Sequence, residues 1–251
     1  MKLFNPSCGP LAPSGAFRVR HFLPVCLLAT LVYGGPAWAE GMMPESTVVL
    51  VDEADREASI KVTNSDKVAG ILHVRLVDIP EDPEPLLVVT PPVARVEAGQ
   101  QQLVRFILTG EALKTQRLKR VIIEGLPAAA DQVGEGANVT VNMRQNLPVI
   151  LHPIGLAEER QPWTQLALSV EADQLLVANP SPYVVRLAQG IELLPSSTRL
   201  QLPRSYVLPG ETLKLYLPKP AAGDSTVRLH PSTLYGFAAP DYDAPLGTGE
   251  R

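Results

Sequence analysis

The three histidines that follow residue 40, His73, His152 and His230, are the side chains best suited to proton transfer or metal ligation near neutral pH. They stand far apart, and none belongs to an H-x-x-x-H or H-E-x-x-H arrangement, so the chain offers little support for a metal site. The carboxylates at 53–57 and at 158–159 fall in charged, turn-like stretches and read as solvated turns, not as an acid–base pair. No G-x-S-x-G, phosphate-binding loop or dinucleotide fingerprint occurs. Asn138, Val139 and Thr140 match a glycosylation sequon, but their place in a strand-like stretch argues against modification. Both cysteines, Cys8 and Cys26, lie before residue 40. The residue types therefore predict no enzyme, no cofactor and no small-molecule substrate. The arginines are the remaining side chains of note. Arg105 lies mid-strand between Val104 and Phe106, where a charge needs a partner or solvent, and Glu124 is a candidate partner. Arg120 follows Arg117 and Lys119, and Arg144 faces away from an apolar stripe.

That stripe is in residues 138–153. Val139, Val141, Met143, Leu147, Val149 and Leu151 recur with a period of two, interrupted by Gln145. The other face is polar, with Pro148 and Ile150 as its exceptions. Successive side chains of a strand point to opposite faces, so this is a long strand with one apolar face, closed by Pro153.

The rest of the chain reads as the scaffold for that strand. Arg18 and Arg20, an apolar run at 22–33 and the small-residue site Ala37-Trp38-Ala39 form a secretory signal, with cleavage expected after Ala39. Cleavage removes both cysteines, so the mature chain should have neither thiol nor disulfide and must rely on its core. A net charge of −4, with scattered Lys and Arg, excludes a nucleic-acid binder on electrostatic grounds. The 25 prolines favour turns and strand edges over long helices.

Short runs of strand character recur at 47–51, 58–64, 70–79, 86–89, 93–96, 102–108 and 120–126, separated by turn residues. About seven short strands over roughly 110 residues is the pattern of an immunoglobulin-like β-sandwich. Residues 154–251 repeat the style, with a hinge near 152–155. The expected organisation is an all-β protein: a signal peptide at 1–39, one sandwich at 40–153, a second at 154–244 and a flexible tail at 245–251.

The ordered set of pieces resembles the periplasmic chaperones of the chaperone–usher pilus pathway. It comprises Val62-Thr63-Asn64, Val89-Thr90-Pro91-Pro92, Glu97 to Gln100, Leu103-Val104-Arg105, residues 120–127, the long strand, and Asn179-Pro180-Ser181-Pro182-Tyr183. The resemblance covers the whole mature chain. It implies two sandwiches at an angle, a periplasmic location, and partners that are pilus subunits and an outer-membrane usher. It also implies donor-strand complementation, in which the chaperone lends a strand to an incomplete subunit. The donor residues are then Val139, Val141 and Met143, with Leu147, Val149 and Leu151 serving the chaperone's own core. Best-known family members anchor the subunit's terminal carboxylate with an Arg and a Lys, whose places here hold Val48 and Pro148. The stretches around Met143, Pro148 and Arg120 resemble the archaic, Csu-type branch, which implies that Arg120 takes the anchoring role, a task for which a guanidinium is suited because it can hold a carboxylate through two parallel hydrogen bonds. Arg105 and Arg144 are candidates for additional contacts, beside the structural role open to Arg105 and the solvated one open to Arg144. An exposed donor strand is a hazard, so some protection of the free chaperone is expected, self-association being one form. The alternative class is an immunoglobulin-like pilus subunit or adhesin. Residues 40–46 count against it, because they lack the alternating apolar extension of a subunit.

Overall fold

The computed structural model describes residues 41–127, 143–221 and 223–248. The expected signal peptide, and the donor residues Val139 and Val141, lie outside the described residues. Apart from a short 3-10 turn at Pro162–Gln165, the secondary structure among the described residues is strand, as the alternation predicts.

The first sandwich stacks two sheets. One contains β1 (Met42–Pro44), β3 (Glu57–Asn64), β7 (Gln101–Leu108) and β5 (Leu87–Thr90) in the order β1-β3-β7-β5. The other contains β2 (Val49–Asp52), β9 (Arg144–His152), β8 (Arg117–Pro127), β4 (Gly70–Val77) and β6 (Val93–Val96) in the order β2-β9-β8-β4-β6. Between them lies a core that includes Val51, Val62, Leu72, Val104, Phe106, Val121, Val149 and Leu151, all essentially without solvent exposure. At the start of the domain the chain crosses between sheets. β1 pairs antiparallel with β3, and β2 then pairs parallel with β9. Met42 is buried at this crossing and fills the space beside Gly70 and Gly125. A Cβ on Gly125 would lie 2.9 Å from the Met42 Cγ and 3.4 Å from its backbone nitrogen, too close to the chain to be relieved by a flexible side-chain end. Gly125→Ala should therefore lower stability by about 1–3 kcal/mol, the usual cost of overpacking, read as a shifted urea midpoint.

The second sandwich is built from β10 (Ala167–Glu171), β11 (Gln174–Ala178), β12 (Val185–Arg186), β13 (Gly190–Leu194), β14 (Thr198–Gln201), β15 (Tyr206–Val207), β16 (Thr212–Tyr216), β17 (Thr226–Leu229) and β18 (Tyr242–Thr248). β18 corrects the expectation of a flexible tail from residue 245. Its first half pairs antiparallel with β17, from Leu229↔Tyr242 to Thr226↔Pro245, and its end pairs parallel with β10 through Leu168↔Leu246. It thus joins two groups of strands, β14-β13-β17 and β10-β11-β16, into one sheet of seven. Ala244 is fully buried in the second core, and Tyr242 and Leu246 pack against it.

The two sandwiches cluster as one unit and share a third apolar cluster. Val48, Ile79, Leu118 and Ile150 of the first domain meet Val184 of the second, with Tyr206 and Leu208 packed alongside. Polar contacts surround this cluster. The Gln116 carboxamide oxygen accepts from the Val184 backbone N–H at 2.9 Å. Its NH2 group therefore donates to His152 Nδ1 at 3.0 Å, which leaves His152 Nε2 to donate to the Leu156 carbonyl at 2.8 Å. Glu53, expected in a solvated turn, is buried instead. Its two carboxylate oxygens accept from the backbone N–H groups of Leu113 and Ile154, each at 2.9 Å. Arg204 of the second domain pairs with Glu81 of the first at 2.8 Å and with Glu211, and its guanidinium lies 4.9 Å from the centre of the Tyr206 ring. Asn179 is buried under the turn that precedes Tyr183, and the Tyr183 hydroxyl donates to the Ala157 carbonyl at 2.8 Å, a packing and corner role.

Candidate functional site

β9 is held differently along its two halves. β8 pairs with it along its length, from Glu124↔Arg144 to Arg117↔Leu151. β2 covers its other edge only from Val149 to His152. Among the described residues, the edge from Arg144 to Pro148 has no strand beside it. The Gln145 side chain donates to the Met42 carbonyl at 2.9 Å, which ties this segment to the sheet crossing without closing the edge. An open edge offers unpaired N–H and C=O groups to an incoming strand.

The side chains divide in the same way. Leu147, Val149 and Leu151 are buried in the first core, in agreement with their expected role. Met143 precedes the strand and is exposed, with Gly41 as a close neighbour. Ile150 and Pro148 broke the alternation on the polar face, and the structure shows why: that face looks toward the second domain. Ile150 joins the shared apolar cluster, and Pro148 lines a cleft.

The cleft has a volume of about 200 Å³, and Arg120, Arg186, Ser205, Tyr206 and Ser232 line it with Pro148. Arg120 stands opposite Pro148 in the β8–β9 register. Its guanidinium donates from Nε to the Asn146 side-chain oxygen at 2.7 Å and to the Asn146 carbonyl at 2.8 Å, which fixes its direction without neutralising it. Arg186 projects from β12 and donates to the carbonyls of Thr233 and Leu234. Among the described residues neither arginine has a carboxylate partner, and the carboxylate that reaches Tyr206, Glu81, pairs with Arg204. Burial pulls both guanidiniums below the ordinary arginine value, and the charge of Arg120 lowers Arg186 further. Burial and the neighbouring Glu81 push the Tyr206 phenol up to about 12, so it remains a neutral donor. The site is cationic and partly desolvated, and its donors are held in place by neutral oxygens: the arrangement suits an anion.

The other arginines are placed elsewhere. Arg105 lies in the four-stranded sheet and pairs with Glu57 on β3, not with Glu124. The reason is topological. Glu124 lies on β8 in the other sheet, where it pairs with His73 at 3.8 Å. Arg144 is exposed at the start of β9. Among the described residues no group of three or more His, Cys, Asp or Glu side chains is arranged to hold a metal. Arg186 was not expected at the site, because nothing in the sequence near it says which surface its strand faces. The one local signal was a charged residue beside Val184 and Val185.

Comparison with known proteins places this architecture. Residues 41–157 match the pili and flagellar-assembly chaperone family, PapD N-terminal domain. Residues 161–239 match the PapD pili assembly chaperone C-terminal domain. The uncharacterized fimbrial chaperone YhcA of Escherichia coli K12 is 41% identical over 210 residues, which cover 83% of this chain and 92% of YhcA. Among solved structures, the Salmonella enterica SafB chaperone in complex with the SafA pilin superposes with a TM-score of 0.67 at 19% identity, covering 83% of this chain and 98% of that one. The CsuC–CsuE complex of Acinetobacter baumannii, from archaic Csu pili, gives a TM-score of 0.58 at 17% identity, covering 83% and 99%. The expected Csu-type branch is not supported, since the similarity to YhcA, at 41% identity, is far stronger than the 17% shared with the Csu chaperone structure. Local likeness around Met143 and Pro148 was too short a stretch to assign a branch. Two consecutive PapD domains, the match to YhcA along nearly its whole length and the two-sandwich fold agree: the chain belongs to the PapD-like fimbrial chaperone family.

Proposed function

We propose that this protein binds one fimbrial subunit at a time in the periplasm by lending it the segment that leads into β9, and delivers it to an outer-membrane usher. The observation that carries this reading is the open edge from Arg144 to Pro148, which continues the alternating residues Val139, Val141 and Met143. A strand laid along that edge would gain backbone hydrogen bonds, and the donor side chains would fill the groove of a subunit that lacks a strand. At about 1.5–3 kcal/mol per filled pocket, three residues give a gross gain on the order of 5–9 kcal/mol before ordering costs. The subunit's terminal carboxylate would then reach the cleft, where Arg120 receives it. The family's more familiar anchor positions, Val48 and Pro148, border the same region, so the cation has moved to the neighbouring strand while the location is kept.

Co-expression with a fimbrial subunit should give a soluble one-to-one complex, and the subunit should be degraded when this protein is absent. A subunit equally stable alone would defeat the reading. Arg120→Ala should leave the fold intact, because among the described residues its hydrogen bonds reach only Asn146, and should weaken subunit binding about tenfold or more, the scale of a lost charge-assisted pair. Binding unchanged in a titration would remove Arg120 from the site.

A further inference from the structure

The geometry points to Arg186 as the second half of the carboxylate site, so that one anion is held between a guanidinium of each domain. This rests on the reading of Arg120 as an anchor and adds to it a residue from the other domain and a consequence for how the domains are held.

Two like charges facing one cleft are unfavourable unless something is gained when the cleft is filled. Arg120 and Arg186 line the same cleft, both are partly desolvated, and the charge of Arg120 is felt at Arg186. Each is directed by neutral acceptors, Asn146 for Arg120 and the Thr233 and Leu234 carbonyls for Arg186. Such bonds aim a guanidinium but leave its full charge, and part of its donor fork, available to a ligand. Among the described residues the cleft lining holds no carboxylate that would neutralise the pair. The cleft of about 200 Å³ has room for a carboxylate and the backbone that carries it. Tyr206 and the hydroxyls of Ser205 and Ser232 line the same wall. The chemistry recognised is thus a monocarboxylate, and the occupant is the C-terminal carboxylate of the bound subunit.

The loop that holds Arg186 also reaches the first domain. The Thr47 hydroxyl donates to the Tyr235 carbonyl at 3.1 Å, and Gly236 lies against Thr47 so closely that a Cβ there would be 2.3 Å from the Thr47 hydroxyl oxygen. A carboxylate bound by both arginines would therefore add a link across a boundary already made by Gln116, Arg204 and this loop. Subunit binding would stiffen the junction between the domains.

The test is an NMR titration of the whole mature protein with acetate as the probe and acetamide as its uncharged control, following the Nε–H resonances of Arg120 and Arg186 in chloride-free buffer. Acetate should shift both resonances with one saturation curve, and acetamide neither. Arg186→Met should raise the acetate dissociation constant about tenfold, and Arg186→Lys should recover part of the loss, because charge is kept without the fork. The lysine variant also covers the case in which the methionine variant loosens the 233–237 loop. If Arg120 responds to acetate while Arg186→Met and Arg186→Lys bind it as the wild type does, the second arginine is no part of the site and the Arg120 reading stands. If neither resonance responds to acetate, both fail.

Discussion

Lys119→Met should cost the protein about 3–5 kcal/mol of stability, as expected when one partner of a buried ionic cluster is removed and the others are left. Lys119 is 1% exposed, although it stands on a strand whose neighbours are Leu118 and Arg120. Its ammonium donates to the Asp82 carbonyl at 2.6 Å and the Glu84 carbonyl at 2.5 Å, and to the Asp82 carboxylate at 3.0 Å, and it pairs with Asp78 at 3.0 Å. Arg117 completes the cluster by holding the same Asp82 carboxylate, its Nε donating at 2.5 Å. This one lysine thus fixes the loop of residues 78–84, which sits beside the shared cluster through Ile79 and beside Arg204 through Glu81. Methionine would keep most of the volume, leave two carbonyls without a donor and leave the buried Asp82 carboxylate to Arg117 alone. The urea midpoint should fall with an unchanged slope, and a midpoint within about 0.5 kcal/mol of wild type, the range of an ordinary surface change, would refute the argument.

The same cluster predicts a pH dependence whose sign follows from Asp82. Burial alone would raise its pKa, but hydrogen bonds from Arg117 and Lys119, with their charges, outweigh burial and hold the carboxyl below its ordinary value of 3.8. A group whose folded pKa is lowered contributes stability above its unfolded pKa and loses it as the pH falls through the folded value. The wild type should therefore weaken on acidification below about pH 4, and Lys119→Met, with half of the cluster gone, should weaken less over the same range.

The legibility of this chain from its sequence differs from element to element, for physical reasons. Strands with one buried face and one wet face, such as β3 and β7, alternate cleanly and were placed within a residue or two. β9 alternates over its core face, but Pro148 and Ile150 face a second domain that period-two reading does not know about. β8 begins three residues before the expected strand, because Arg117 and Lys119 read as a basic surface run when considered one at a time. Their partners come from a loop more than thirty positions away, and only the folded chain brings a carboxylate and two carbonyls to the ammonium. β18 departs from the expected tail because Tyr242, Ala244 and Leu246 alternate inward onto the second core, a signal that Pro245 and Gly247 interrupt in the sequence. At the site, Arg120 was reached through a family resemblance and not through spacing. Arg186 had no comparable route, since nothing local connects β12 to β8.

A double substitution, Val141→Asp with Met143→Asp, should abolish capture of a fimbrial subunit while the free protein keeps its fold. Each apolar anchor lost from a subunit pocket costs about 1.5–3 kcal/mol, and a carboxylate placed in that pocket adds its own desolvation penalty. The two together correspond to a loss of roughly 100-fold or more in affinity. Met143 is 37% exposed and lies outside the core, so the free protein has little to lose from its replacement. Val149, six positions later and on the same face of the strand, supplies the contrast: it is fully buried, so Val149→Asp should unfold the first sandwich and lose subunit capture only as a consequence. The measurement pairs subunit co-purification with a urea midpoint for each variant. Capture lost with the midpoint kept separates the lent residues from the retained ones. A collapse of the midpoint in the double variant would mean that Met143 and Val141 belong to the chaperone's own core and that the division of the strand is wrong. The division itself has a structural reason, because β2 covers the edge of β9 only from Val149 onward. The same residue therefore marks where the strand stops being available to a partner.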